Sequence, residues 1–292
     1  MNPWIGPSGD TWISGTRVYG TAYDHLRVCL GCGASWEHGA EPVHGESAVG
    51  APGFKTACPF APKDPAPEPQ WLAQNGEDRV IAAYLAEHHP TLVGRVLDIG
   101  AHDGWSLSNT ARLLERGWGG TLVEASPRPL AKLIDRWGDR EDIEIVGACL
   151  ITNAQRTAPE ECLVRWYDDA GAACHAGESF LSTTETANVE KWRGATKFRR
   201  AWLAALPAEL FVCLVLQDTP ARAWDMWSID VEGTSVALLQ ELTRAMRDMG
   251  ARLPLLVVVE HDDMHAKIAQ WCATYGYRVL EANAENVIAA RA

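Results

Sequence analysis

No run of about 18 apolar residues occurs anywhere in the 292-residue sequence, so no segment is expected to cross a bilayer as a helix. The start, Met1-Asn-Pro-Trp-Ile-Gly6, lacks the basic and apolar regions of a secretory signal, and a cytoplasmic location is expected. Positive charge is scarce: 26 Lys and Arg stand against 38 Asp and Glu, a net charge of −12. Nucleic acid is therefore not expected as a partner, since phosphate contacts need a basic surface. The local exception, Lys191-Trp-Arg193 with Lys197-Phe-Arg-Arg200, reads as a solvated helix face. The fingerprint G-x-G-x-x-G is also missing, because His102 stands where a second glycine would let a pyrophosphate approach. There is no internal repeat. The eight cysteines do not suggest a disulfide framework; those after Cys58, such as Cys149 and Cys213, sit in apolar runs as expected core thiols.

What is present is a hydrophobic content of 47%, enough for one large domain and a small module. Thirteen tryptophans, mostly single, fit core and interface packing. Residues 1–58 show no long periodic segment but contain Cys29-Leu-Gly-Cys32-Gly33, with His25 before it and His38, His44 and Cys58 after it. Cys-x2-Cys-Gly is the turn of a zinc knuckle, in which two thiolates converge on one ion. The expected ligands are Cys29, Cys32, His38 and His44, with Cys58 or His25 as a substitute. Residues 59–70 hold five prolines and read as a semi-rigid linker. A third unit then runs over 71–292.

That unit opens with a helix ending near His88 and then alternates strand and helix, the pattern of a parallel sheet covered on both faces. Strands are expected at 95–99, 121–124, 143–146, 226–231 and 255–260, with a closing hairpin of 277–281 and 287–290. Helices are expected at about 105–116, around Leu130, Leu133 and Ile134, at 234–249 and at 264–275. Residues 152–225 interrupt this rhythm, with a helical stretch near 188–205 and a strand at 211–216; an insertion of this length commonly forms a lid or substrate wall. Seven strands ending in an antiparallel hairpin suit an α/β, Rossmann-type sheet of the methyltransferase kind better than a six-stranded dinucleotide fold.

Val96-Leu-Asp-Ile-Gly-Ala-His-Asp-Gly104 is a buried strand running into a tight turn, which places backbone N–H groups and a carboxylate beside a nucleotide-like ligand. The acid favours S-adenosylmethionine over NAD. Acids recur at strand ends: Asp98 and Asp103, Glu124, Asp230 and Glu232, then Glu260, His261 and Asp262. Glu124, 26 residues past Asp98, can accept both hydroxyls of a ribose. Asp230, Glu232 or His261 could act as a base toward an acceptor hydroxyl. Alternatively, Mg²⁺ held by Asp230 and Glu260 or Asp262 could lower that hydroxyl's pKa.

Gln74-x-Gly-Glu-Asp78, Asp98-Ile-Gly-Ala-His-Asp-Gly104 with Ser108-Asn-Thr110, Gly117-Trp-Gly-Gly-Thr-Leu-Val-Glu124 and Ser228-Ile-Asp-Val-Glu-Gly233 together resemble the FkbM family of S-adenosylmethionine-dependent methyltransferases. Glu260, Gly276-Tyr277 and Asn286-Val-Ile288 follow in that family's order, over about 71–291. The resemblance implies a class I methyltransferase-like fold and O-methylation of a hydroxyl on a sugar, glycan or other small molecule. It places Asp98, Gly100 with its neighbour Ala101, Asp103 and Glu124 at the cofactor, and Asp230 and Glu232 at the reacting centre. His102 departs from a position often occupied by Asn, and residues 152–225 do not match, so the acceptor does not carry over. A binding or assembly protein on the same sheet and an NAD-dependent oxidoreductase are the competing readings. A homodimer is compatible with all three.

Overall fold

A computed structural model describes residues 70–156, 163–169, 181–192, 197–217 and 223–292, together with the backbone of five short strands between 4 and 37. The chain divides into two compact units, Met1–Gln70 and Trp71–Ala292. In the first, β1 (Trp4–Ile5), β2 (Thr11–Ile13), β3 (Thr16–Val18), β4 (Leu26–Val28) and β5 (Ser35–Glu37) pair consecutively and antiparallel. The expected zinc ligands His25, Cys29, Cys32, His38, His44 and Cys58, and the proline-rich linker over 59–69, lie outside the described residues.

The second unit is built on β6 (Arg95–Ile99), β7 (Gly119–Val123), β8 (Ile143–Val146), β12 (Met226–Ile229), β13 (Leu256–Glu260), β14 (Tyr277–Ala282) and β15 (Asn286–Arg291). Their order across the sheet is β14-β15-β13-β12-β6-β7-β8. The first five in sequence run parallel, and the terminal hairpin is antiparallel, inserting β15 beside β13. Alternation along each strand sends its apolar residues to both faces. Leu97, Ile99, Trp227, Ile229, Val257 and Val259 pack under α5 (Ala208–Leu216), α6 (Ser235–Asp248) and α7 (His265–Tyr275). Val96, Leu122, Met226, Leu256 and Val258 pack under α1 (Glu77–His88), α2 (Ala111–Glu115) and α3 (Pro127–Trp137). This is the expected seven-stranded, doubly covered α/β sheet.

Within the insertion, β9 (Cys149–Ile151), β10 (Leu163–Asp169) and β11 (Phe198–Pro207) form a separate three-stranded sheet in the order β10-β11-β9, and α4 (Thr186–Trp192) follows β10. Three expectations are corrected here. Of the helical stretch expected at 188–205, α4 covers Thr186–Trp192, whereas Phe198–Pro207 is strand β11, with Arg199 and Arg200 opposite Asp168 and Tyr167 in register. The strand expected at 211–216 is the helix α5. Its buried Ala208, Phe211, Val212 and Leu216 follow the helical period, Leu210 and Leu214 face outward, and the Phe211 ring stacks on Trp224 at 5.9 Å. The same geometry corrects Cys213, which is exposed on α5, while Cys149 and Cys272 are buried as expected.

The helix expected from 105 begins only at Ala111. Asp103 Oδ1 accepts the N–H groups of Trp105 and Ser106, and Ser108 Oγ accepts those of Thr110 and Ala111, so side chains hold a turn where a helix would otherwise begin.

Candidate active site

The chain runs outward from β6 to β7 and β8, then crosses back to β12 and β13, so the strand order reverses between β6 and β12. Ligands of open α/β sheets sit beyond the carboxyl ends of the strands at such a switch point. A cavity of about 390 Å³ opens there, within the size range of small-molecule sites. Asp98, Gly100, Ala101 and His102 line it from β6, Glu124 and Ser126 from β7, and Ser228, Asp230 and Glu232 from β12. Glu260, Glu285 and Asn286 close one end, and Trp166, Leu181, Ser182, Lys191 and Trp192 supply a wall from the insertion.

The two halves of the rim press directly together. Gly100 has φ +85°, and a Cβ on it would lie 1.8 Å from the backbone oxygen of Asp230, so only glycine fits where β6 and β12 meet. The turn beyond it spends its donors on β7: the Gly100 and Ala101 N–H groups both donate to Val123 O at 3.0 Å, and the His102 N–H donates to Glu124 Oε2 at 2.8 Å. Glu124 Oε1 accepts the Ser126 N–H at 2.6 Å. The Ser126 hydroxyl also reaches this buried carboxylate, which still keeps acceptor capacity. Burial raises the Glu124 pKa against the pull of these N–H groups and His102.

Asp98 lies deeper. Its Oδ2 accepts the Thr110 hydroxyl at 2.5 Å, and Asn109 Nδ2 donates to Ser228 Oγ at 3.2 Å just beside it. Burial raises Asp98 to about 6, although the hydroxyls of Thr110 and Ser228 oppose the shift.

At the other end, carboxylate oxygens of Asp230, Glu232 and Glu260 lie within 4.8 Å of one another. Enclosure by protein, with Glu232 adding its charge, lifts Asp230 to about 7. Because Asp230 is open to the cavity, crowding of like charges is the cause that outlasts solvation. Burial followed by the charges of Glu260 and Asp262 raises Glu232 to about 8, and burial followed by Asp230 raises Glu260 to about 9. The backbone is strained here too, with φ +53° at Glu232 and +46° at Asp262. The insertion braces that strain: Thr183 Oγ1 and Asn188 Nδ2 donate to the Glu232 carbonyl at 2.9 and 2.7 Å.

Two expected site residues fall outside this cavity. Asp103 does not line it; its carboxylate holds the 103–106 turn and accepts from the Ser106 hydroxyl as well. These bonds, with His102 beside it, keep its pKa well below the usual carboxylate range despite partial burial. His261 does not line it either. Its Nδ1 accepts the Asp263 N–H at 3.0 Å, which leaves Nε2–H to donate to Ala284 O at 2.9 Å, and no ring nitrogen is left to take a proton from an acceptor. Asp98, Gly100, Ala101, Glu124, Asp230 and Glu232 are brought together. Thr183, Asn188 and the lining residue Trp166 carry no sequence signal, because the insertion has no period from which to read them, and Lys191 and Trp192, expected on a solvated helix face, line the cavity.

No family model matches the chain, and no curated protein matches it. The resemblance to the FkbM family rests on the motifs alone. Among solved structures, a precorrin-6y C5,15-methyltransferase from Geobacter metallireducens GS-15 is 14% identical, covering 73% of this chain and 87% of its own, with a TM-score of 0.35. The hMettl16 catalytic domain bound to MAT2A 3'UTR hairpin 6 is 10% identical over 91% and 87%, with a TM-score of 0.36. The glycopeptide N-methyltransferase MtfA, complexed with S-adenosyl-L-methionine, is 13% identical over 78% and 100%, with a TM-score of 0.22. At these TM-scores the likeness bears no weight on activity, and the fold stands on its own sheet order.

Proposed function

We propose that the Trp71–Ala292 unit is an S-adenosylmethionine-dependent methyltransferase acting on a hydroxyl of a sugar, glycan or other small molecule. The observation that carries this reading is the way the turn after β6 spends its hydrogen bonds. The Gly100, Ala101 and His102 N–H groups are all committed to β7 and do not cradle a pyrophosphate, while the carboxylates of Asp98 and Glu124 line the cavity beside them. A ligand presenting hydroxyls and an ammonium group suits such a rim, whereas a dinucleotide does not. This disfavours the NAD reading. The strained, crowded acids around Asp230 and Glu232 support a reading with chemistry at this end of the cavity.

The residues present fit the cofactor. Glu124 has the spare lone pairs to receive ribose hydroxyls, and Asp98 with Gly100 floors the cavity between it and Asp230. When bound, S-adenosylmethionine supplies an activated methyl group, leaving the protein to align the acceptor and dispose of one proton. Asp230, which adjoins the cofactor turn and is raised to about 7, supports a role as the base that would take that proton near neutral pH. Trp166, Trp192 and Leu181 form the wall against which the body of the acceptor rests.

Incubating the protein and labelled cofactor with small-molecule extracts should yield a product heavier by one methyl group, detected by mass spectrometry. Asp230→Asn should leave cofactor affinity near the wild-type value and lower turnover by about 10²–10⁴. Wild-type turnover in that variant on a proven acceptor would remove Asp230 from the chemistry.

A further inference from the structure

Among the described residues, a buried amide oxygen lining the cavity with these acids has no hydrogen-bond partner. Asn286 is only 4% exposed and lines the cavity. Its Nδ2 donates to Glu77 Oε1 at 2.8 Å, which fixes the amide and leaves Oδ1, at the opposite corner, without a hydrogen bond. An orphaned buried oxygen costs free energy and is rare in folded proteins. Asn286 is also the register partner of Glu260 in the β13–β15 pair, so the two side chains stand together on one face of the sheet. Glu260, in turn, belongs to the set with Asp230 and Glu232 whose oxygens lie within 4.8 Å.

The protein gives this group few donors of its own. Glu260 Oε2 accepts the Glu232 N–H at 3.1 Å and the Ser235 hydroxyl at 3.0 Å. Among the described residues Lys191 is the single Lys or Arg lining the cavity, which it shares with six carboxylates: Asp98, Glu124, Asp230, Glu232, Glu260 and Glu285. Lys191, the Glu232 N–H and the Ser235 hydroxyl supply some positive character here, and the acids outnumber them. A set of carboxylate and amide oxygens, without nitrogen or sulfur, in a cavity with room for water, is the donor set of a hard divalent cation.

We propose that Asp230, Glu232 and Glu260 bind one divalent cation of the Mg²⁺ or Mn²⁺ kind, with Asn286 Oδ1 as the neutral oxygen beside it and water completing its shell. The binding stands on these side chains alone. Its use rests on the methyl-transfer reading: positive charge at this end of the cavity would orient an acceptor hydroxyl and lower its pKa, and with Asp230 engaged as a ligand the proton would leave to water and not to Asp230.

The test uses the full chain, treated with EDTA and titrated with Mn²⁺ under electron paramagnetic resonance. The expected result is one saturable Mn²⁺ per chain, displaced by Mg²⁺, with affinity weakened at least about tenfold in Glu260→Gln and by a smaller factor in Asn286→Ala. Glu260→Gln removes a charge from a crowded site, so it should fold at least as well as wild type, and circular dichroism of each variant checks this. Absence of saturable binding in the folded wild type, or unchanged affinity in Glu260→Gln, overturns the site. S-adenosylmethionine binding is measured on the same samples. Cofactor binding without Mn²⁺ binding sinks only the cation, whereas Mn²⁺ binding without cofactor binding sinks the methyl-transfer reading and leaves the cation site standing.

Discussion

Gly100→Ala and Gly117→Ala make a matched pair of perturbations. Both glycines have the left-handed backbone, at φ +85° and +89°, so both alanines carry the same conformational cost of about 1–2 kcal/mol. They differ in space. A Cβ at Gly117 meets nothing within 4 Å, while one at Gly100 would lie 1.8 Å from Asp230 O and 2.9 Å from its carbonyl carbon. Relieving that overlap means moving backbone at the junction of β6 and β12, and overpacking of this kind adds about 1–3 kcal/mol. Gly100→Ala is therefore expected to cost about 2–5 kcal/mol in total against about 1–2 for Gly117→Ala. At roughly 2–4 °C per kcal/mol, the first should lower Tm by about 4–20 °C and the second by only a few degrees. Thermal unfolding followed by circular dichroism reads both, and a Gly100→Ala variant too unstable to purify beside a healthy Gly117→Ala gives the same ranking. Equal shifts would mean that β6 and β12 do not meet as described, and the cavity's two halves would lose their junction.

The acids at the cavity make stability depend on pH in a defined direction. Asp98 at about 6, Asp230 at about 7, Glu232 at about 8 and Glu260 at about 9 all lie above ordinary carboxylate values, so the folded chain binds more protons than the unfolded one over this range. Their contribution is fully present below about pH 4 and is lost as pH rises through these values. Glu77 and Asp103, whose pKa values are depressed, act oppositely and lose their contribution only below about pH 4. In EDTA-containing buffers the midpoint of urea unfolding should therefore fall between about pH 5 and pH 9, and a midpoint that rises over that interval would contradict the crowding described. In the N-terminal unit, elemental analysis of protein purified without added zinc should find about one equivalent, lost in a Cys29→Ser/Cys32→Ser variant. Native protein free of zinc would remove the metal from the N-terminal module.

Much of the sheet was legible because buried parallel strands announce themselves as short apolar runs. Arg95–Ile99 and Ile143–Val146 fall where the pattern places them, and Asn283-Ala-Glu-Asn286 turns the hairpin as expected. The insertion was less legible, for two separate reasons. The run Ala208–Leu216 is apolar enough to read either way, and only the burial of Phe211 and Val212 against the sheet decides for a helix. Strand β11 depends on β10, a partner far off in sequence, which no local pattern in Phe198–Pro207 can reveal. At the site, strand-end position singles out Asp98, Glu124, Asp230 and Glu232, which share one cavity, but it could not tell an acid facing the cavity from one bonded into its own loop. Asp103 and His261 are of the second kind, and their partners are backbone N–H and carbonyl groups invisible to a sequence pattern.

The central claim is tested most directly by titrating S-adenosylmethionine into wild type and Glu124→Gln in a calorimeter. Glutamine keeps the length of the side chain but offers one acceptor oxygen where the carboxylate offers two, and it cannot serve His102 N–H, Ser126 N–H and both ribose hydroxyls at once. Losing a charge-assisted hydrogen bond of about 1.5–3 kcal/mol corresponds to a loss of affinity of about tenfold or more. The account predicts one cofactor per wild-type chain and that loss in the variant, with NAD giving no heat in either. Equal affinity of the two proteins for S-adenosylmethionine, or binding of NAD in its place, would contradict it.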